Sequence, residues 1–386
     1  MNRRSVVRTV GVGALAGMAG CSSPVGDDDE DDDDEDGENE GEEATDATER
    51  DDTEPDEPDL EGTFRVATTE SMVVGERAVG EWIKEAFEEE FPDAELQWTI
   101  PEAGLDHYRR RAEQDAEIDA DVYLGLTPPD LAGLDADLAS HSLFRELGTD
   151  RLPTTERIRD GLEFGDPSGR AVPVGVRYSC LWYDESELDG PDELTDLLDD
   201  EYEERLLAPR PDRSDAGLAF LLWTVEVVGD DGYRRYWGDL EENGLELVDD
   251  WIASTAAFAD GDHPLTVGYS TDAAFAEREG WEVDDWELAF PDEQGYETPI
   301  GAAVFEDAEE VDLAYDFLNF LLSSDVQAAF AERHSAMPAL SRAFLELDEP
   351  FEETAAVPAD PVSVGYDRLR SDLEQWVDEW AETVAE

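Results

Sequence analysis

Three short polar segments, each lying between a strand-like and a helix-like run, carry the residues best suited to chemistry. Pro211-Asp-Arg-Ser214-Asp215-Ala-Gly217 leads into the helical run Leu218–Trp223, and Asp249-Asp250-Trp251 and Tyr269-Ser270-Thr271-Asp272 open two more. The first turn of a helix leaves backbone N–H groups without intrahelical partners, so such openings suit an anion or a polar ligand atom. A Trp or Tyr at a helix start more often packs than stacks on a ligand. Three polar openings after three strands of one unit shift that balance toward a ligand. The chemistry these residues offer is binding.

Catalytic patterns do not stand out beside them. His107, His141, His263 and His334 include no pair at the helical spacing of metal ligands. There is no Gly-x-Ser-x-Gly elbow, no phosphate loop and no Gly-x-Gly-x-x-Gly. With 104 Asp and Glu in the chain, carboxylate pairs occur at every spacing by chance and identify nothing. Cys180 lies in the apolar, β-rich run Arg177-Tyr-Ser-Cys-Leu-Trp-Tyr183 and reads as a buried core thiol. With Cys21 lipidated, Cys180 is alone, which excludes a disulfide framework and a Cys-rich zinc site. No catalytic residue, metal or cofactor is expected, and a binder is favoured over an enzyme.

Composition narrows the setting. The 386 residues carry 104 acidic and 26 basic side chains, a net charge of −78, and Lys84 is the sole lysine. Residues 60–386 alone hold 82 acids against 22 bases, so the excess is spread through the chain. Nucleic acid and anionic lipid headgroups would repel such a surface. Acid-rich, lysine-poor surfaces stay hydrated in molar salt, where the Debye length shrinks to about 3 Å, so an extreme halophile is expected. At the N-terminus, Arg3-Arg4 before the apolar run Val10–Ala19 resembles a twin-arginine export signal, and Met18-Ala-Gly-Cys21 resembles a lipobox. The apolar run is too short to span a bilayer. These features predict a signal over 1–21, lipidation at Cys21, and a body tethered to the outer face of the cell membrane. Residues 27–59 contain 22 acids and Arg50 with no aromatic side chain. They are expected to form most of an extended acidic spacer over 22–61.

The body reads as strands alternating with helices. Strands are expected at Phe64–Thr68, Glu95–Ile100 and Ala120–Gly125, with helices at Gly75–Phe91 and Leu105–Ala116 and a third opened by Pro128-Pro129. This rhythm implies an α/β fold, whose ligands sit beyond the carboxyl ends of the strands. Thr69-Glu70-Ser71, Glu102-Ala103-Gly104 and Gly125-Leu-Thr127 occupy those ends. After an irregular stretch at 135–170, strands are expected at Ala171–Gly175 and Tyr178–Tyr183. A second α/β set follows, with helices near Pro191–Leu198, Ser214–Val228, Tyr233–Glu241, Ala253–Ala259 and Thr271–Arg278. Its strands are expected at Arg205–Ala208, Leu245–Val248, Leu265–Gly268, Glu287–Phe290 and Ile300–Phe305. Three helices, near Val311–Leu322, Asp325–Arg333 and Tyr366–Val384, close the chain. Strands crossing near 171–183 and 297–305 suggest two lobes on a double hinge. The expected lobes are 62–175 plus 301–330, and 176–300 plus part of 331–386.

These segments resemble the extracellular solute-binding proteins of ABC importers, specifically the thiamine-binding branch, over residues 64–383. The resemblance rests on Thr68-Thr-Glu-Ser71, Glu102-Ala-Gly104, Ala120–Leu126, Val172-Pro173 with Trp182-Tyr-Asp184, Arg213-Ser214 with Gly217-Leu, and Leu221-Leu-Trp223. Trp251, Tyr269-Ser-Thr271, Leu318–Leu322 with Ser324 and Gln327, Pro338, and Trp376 to Trp380 complete it. It implies a two-lobed, type II periplasmic-binding-protein-like clamshell, each lobe a mixed, mostly parallel sheet flanked by helices. It also implies a monomer that delivers its ligand to a permease and its ATPase.

Carried over by position, the ligand contacts fall on Ala103, Gly104, Ser214, Asp215, Trp251 and Tyr269 through Asp272. Glu70, Ser71, Thr127 and Phe275 line the same expected site. A thiazolium is a fixed cation, and an aromatic face holds such a cation by roughly 0.5–2 kcal/mol. The chain departs from the family at Ala103, where an Asp is usual, and at Thr127, which also replaces an Asp. Ser335 stands where an aromatic is expected, and Phe275, at another expected aromatic position, lacks a hydroxyl. Glu70, Asp215 and Asp272 are the carboxylates left to supply charge. An iron(III) receptor of the same fold would use adjacent tyrosines, and no Tyr-Tyr pair occurs among Tyr178, Tyr183, Tyr269 and Tyr296. A secreted α/β enzyme and a sensory or adhesion module without an importer are the remaining alternatives.

Overall fold

The computed structural model describes residues 62–74, 78–138, 141–281, 283–334 and 336–384. Cys21, the acidic segment and Ser335 lie outside the described residues. The chain begins with β1 (Gly62–Thr68), the single-turn α1 (Glu70–Val73) and α2 (Val79–Glu90). Val79, Ile83 and Phe87 repeat every fourth residue, so α2 buries one stripe and ends ahead of Pro92. The separate turn α1 is a correction to the sequence reading, which began its first helix at Gly75. β2 (Ala94–Thr99), α3 (Leu105–Glu113), β3 (Val122–Leu126) and α4 (Pro128–Leu138) follow. α3 stops short of the expected Ala116 because Asp115 turns left-handed, at φ +50°.

β4 (Ala171–Asp184) is one strand where the sequence suggested two. Its register against β9 slips between Pro173 and Gly175, a bulge that accommodates a proline lacking an amide donor. The helix expected at Pro191–Leu198 is reduced to a 3₁₀ turn, Leu194–Leu198. Then come β5 (Leu206–Pro209), α5 (Asp215–Val228), α6 (Tyr233–Glu242), β6 (Glu246–Val248) and α7 (Trp251–Ala259). α7 starts two residues earlier than expected because Asp250 caps it, accepting from the Ala253 amide at 2.8 Å. β7 (Leu265–Tyr269), α8 (Asp272–Glu279), β8 (Trp286–Ala289) and β9 (Gln294–Val304) lead to α9 (Val311–Leu321), α10 (Ser324–His334) and β10 (Met337–Pro338). The chain ends in α11 (Glu349–Thr354), unforeseen in the sequence, β11 (Asp360–Val362) and α12 (Tyr366–Val384).

The sheet runs β2-β1-β3-β9-β4-β7-β5-β6. The outer groups β2-β1-β3 and β7-β5-β6 are parallel, whereas β9 and β4 join them through antiparallel pairings. Helices that return the chain between parallel strands leave the strands' carboxyl ends for loops. β4 and β9 pair over Ala171–Ser179, and β4 continues against β7 to Tyr183. One core packs Phe317 edge to face on both Phe64 and Phe87, whose own rings are tilted, with ring centroids 5.1–5.8 Å apart. Another joins Phe220, Trp237 and Trp380, the two indoles meeting at 5.7 Å. α12 lies along both α4 and α6.

Candidate functional site

At the carboxyl end of β7 the chain turns directly into α8, and this turn gathers the aromatic candidates. Asp272 is 1% exposed. Its Oδ2 accepts from the Tyr269 amide at 2.7 Å and from the Trp251 indole N–H at 2.9 Å. Burial pushes its carboxyl up to about 7, against the pull of those two donors and of Arg177. Asp272 therefore fixes the indole of Trp251 from below. Trp251 is half-buried, with its ring 6.3 Å from Tyr269 and 5.2 Å from Phe275, which in turn meets Trp281 edge to face. Only glycine fits at 268, because a Cβ there would meet the Asp272 carboxylate. Ser270 and Thr271 are buried in the same turn, where the Ser270 amide donates to the Tyr178 carbonyl at 2.9 Å.

Losing the Asp272 side chain would leave two donors without an acceptor. Asp272→Ala should therefore destabilise the fold by about 2–4 kcal/mol in urea unfolding, whereas Asp272→Asn, which keeps an acceptor, should cost less than about 1 kcal/mol. The carboxyl is raised in the folded state, so its contribution is full below the unfolded value of about 4 and is lost as pH rises toward 7. Wild type should accordingly weaken relative to Asp272→Asn between those limits. A pH-independent difference between the two would contradict this assignment.

Arg177, which the sequence reading passed over, projects from β4 beneath the same turn. Its guanidinium lies 5.3 Å from the Tyr269 ring centroid and donates to His334 Nε2 at 3.0 Å. His334 can accept because burial, reinforced by Arg177, pushes it down to about 3 and keeps it neutral. The signal for Arg177 was an arginine within an otherwise apolar strand.

The α5 opening contributes differently. Ser214 occupies the N-cap position without a side-chain cap bond, and Asp215 is exposed in the first turn. Arg210 pairs with Asp212 at 2.9 Å, and Arg213 pairs with Asp249, joining the α5 and α7 openings.

On the opposite set of strands, Thr127 is buried and forms a capping box with Asp130. Asp130 Oδ2 accepts from the Thr127 amide at 2.9 Å and from its hydroxyl at 2.7 Å, and the Asp130 amide lies 3.4 Å from Thr127 Oγ1. Glu70, Ser71 and Ala103 are exposed on their own turns, and Gly104 caps α3 with φ +53°, a conformation that favours glycine. Among the described residues no hydrogen bond or ring contact joins those four to the Trp251–Tyr269 cluster. The structure thus assembles Trp251, Tyr269, Asp272 and Phe275, and no hydrogen bond or ring contact among the described residues ties the α1 and α3 candidates to them.

The sequence matches the bacterial extracellular solute-binding protein family over residues 135–372, more than half of the chain. The chain belongs to that family. As a member it is a binding protein and not an enzyme. This solute-binding protein is 26% identical over 329 residues to a protein named thiamine-binding periplasmic protein from Brucella suis, spanning 82% of this chain and 91% of that one. It is likewise 26% identical over 311 residues to the Escherichia coli K12 protein of the same name, spanning 79% and 89%. A solved periplasmic thiamin binding protein shares its fold with a TM-score of 0.70 at 24% identity, over 84% of this chain and 96% of that one. A ferric binding protein from Campylobacter jejuni superposes with a TM-score of 0.68 at 14% identity, over 83% and 99%. The α/β architecture is thus the two-lobed, type II clamshell of periplasmic binding proteins. No described helix is long and apolar enough to cross a membrane.

Proposed function

We propose that this solute-binding protein captures thiamine or a thiamine phosphate outside the cell and hands it to an ABC permease with its ATPase. The observation that carries the reading is the Trp251 wall, an indole locked by Asp272 and flanked by Tyr269 and Phe275. An aromatic face suits a thiazolium cation, and in molar salt such short-range contacts survive while long-range steering is screened. The names of the relatives point the same way. Iron(III) fits less well. The Tyr178 hydroxyl already donates to Glu297 at 3.1 Å, and the Tyr296 hydroxyl already accepts from the Val364 amide at 3.3 Å.

The reading includes a halophilic host, twin-arginine export, a lipid on Cys21 and a monomeric body. It takes 62–175 plus 301–330 as one lobe and 176–300 plus part of 331–386 as the other, with β4 and β9 as the hinge. Ala103, Gly104, Glu70 and Ser71 join the ligand from the first lobe when the cleft shuts.

In molar KCl, thiamine should quench the tryptophan fluorescence of the full chain. Trp251→Ala should weaken binding by more than about 1 kcal/mol. A spectrum unmoved by millimolar thiamine would remove that ligand.

A further inference from the structure

We propose that Arg177 is a ligand-contacting residue that seats a phosphate group on the bound thiamine and so selects the phosphorylated form. This inference rests on the thiamine reading above and narrows it to one form of the ligand.

Arg177 is half-buried in β4. Its guanidinium lies 5.3 Å from the Tyr269 ring centroid, with Nη2 3.0 Å from His334 Nε2. Neither neighbour neutralises it, since burial keeps both the phenol and the imidazole uncharged. Among the described residues no carboxylate stands within ion-pair distance of Arg177, although Arg170, Arg210 and Arg278 each hold an aspartate. Asp272, the carboxylate of the adjoining turn, spends Oδ2 on the Tyr269 amide and the Trp251 indole. A charge partly withdrawn from water and left unpaired is costly, so an anion arriving from solution is favoured there.

The strand register supplies further donors. Arg177 pairs with Thr298 of β9, and Ser179, two residues on, pairs with Tyr296 of β9 and Tyr269 of β7. Side chains alternate along a strand, so Arg177, Ser179, Thr298 and Tyr269 share one face of the sheet. The Ser179 and Thr298 hydroxyls are buried without a hydrogen-bond partner among the described residues, and Ser179 is 1% exposed. Such hydroxyls are unfavourable until an acceptor reaches them. Both lie on the strands taken above as the hinge, so opening of the cleft gives the acceptor access. One guanidinium and two hydroxyls match the oxygens of a phosphate, which a planar guanidinium binds in pairs.

Tyr269 neighbours both the aromatic wall and Arg177, its ring lying 6.3 Å from that of Trp251. Thiamine alone brings only a positive ring, which the guanidinium repels. The phosphate ester carries both charges in one molecule, a thiazolium for the indole and an anion for Arg177.

The test compares thiamine with thiamine monophosphate by tryptophan quenching of the full chain in molar KCl at neutral pH. Wild type should bind the monophosphate at least about tenfold more tightly than thiamine. Arg177→Met should bring the monophosphate down to the affinity of thiamine and leave thiamine itself no weaker. Ser179→Ala, which removes a hydroxyl that bonds nothing in the fold, should weaken the monophosphate roughly threefold or more with thiamine unchanged, and serves if Arg177→Met misfolds. Wild type binding the two within about twofold, or either variant keeping the full preference, overturns the seat and leaves the thiamine reading standing. Inorganic phosphate that lifts thiamine to the affinity of the monophosphate would overturn the ester in favour of a free anion. Wild type binding neither compound removes the thiamine reading, and this inference with it.

Discussion

Replacing Arg170 with methionine should lower the unfolding free energy by about 3–5 kcal/mol, because it strips the counter-charge from two enclosed carboxylates. Arg170 is 7% exposed at the start of β4. It grips Asp135 of α4 through two bonds of 2.7 Å, and Asp166 through bonds of 3.1 and 2.8 Å. The Tyr366 hydroxyl at the head of α12 accepts from Arg170 at 3.1 Å and donates to Asp135 at 2.8 Å. Burial pushes both carboxyls up, but the guanidinium outweighs it and holds them below the ordinary range. Depressed carboxyls stabilise the fold above the unfolded value of about 4, so the advantage of wild type should persist from pH 5 to 8 and disappear in stronger acid. Molar KCl should not abolish it, since the pair is shielded from mobile ions. Tyr366→Phe, which removes only the hydroxyl, should cost about 1 kcal/mol. A loss below 1 kcal/mol for Arg170→Met in urea titration would show that this network does not hold α4, β4 and α12 together.

Gly217→Ala should damage binding more than its single methyl suggests. The added carbon would land on the Pro209 carbonyl and the Arg210 backbone, where the first turn of α5 crosses the end of β5. Backbone cannot step aside as a side chain can, so α5 must tilt or lift, at a stability cost of about 1–3 kcal/mol. Ser214 and Asp215 would move with it. Thiamine affinity should drop at least tenfold, about 1.4 kcal/mol. Gly238 on α6 is the control, because its nearest neighbour to a new methyl is Thr383 at 3.7 Å. Gly238→Ala should be neutral or stabilising by up to about 1 kcal/mol, since alanine favours helix interiors. Equal effects from the two substitutions would mean that the close crossing at Gly217 has no special weight.

Much of the architecture was legible from local pattern. The four-residue repeat of Val79, Ile83 and Phe87 announces a helix, and Asp250 ahead of Trp251 is a cap that any reading of helix starts can use. Where the reading slipped, the cause was non-local. β4 looked like two strands because the expected pattern lapses at Val176 and Arg177, and only their pairing with Pro299 and Thr298 of β9 carries the strand through. What the local sequence could not show for Asp272 is that it is buried and accepts from the indole of Trp251, a residue 21 positions earlier in the chain. Asp130 was overlooked although Thr127-Pro-Pro-Asp130 has the spacing of a capping box. Among 104 acids, spacing alone could not single it out.

By itself the sequence determined the strand–helix rhythm, the acid-dominated surface, the lack of a recognisable catalytic motif and the aromatic helix openings. All of these follow from composition or from neighbours within a turn or two. Tertiary structure decided the strand order, the continuity of β4 and β9 and the indole lock on Trp251. Those depend on which distant segments share a sheet edge or a buried space, and apolar periodicity sets which face of an element is covered without naming the partner that covers it.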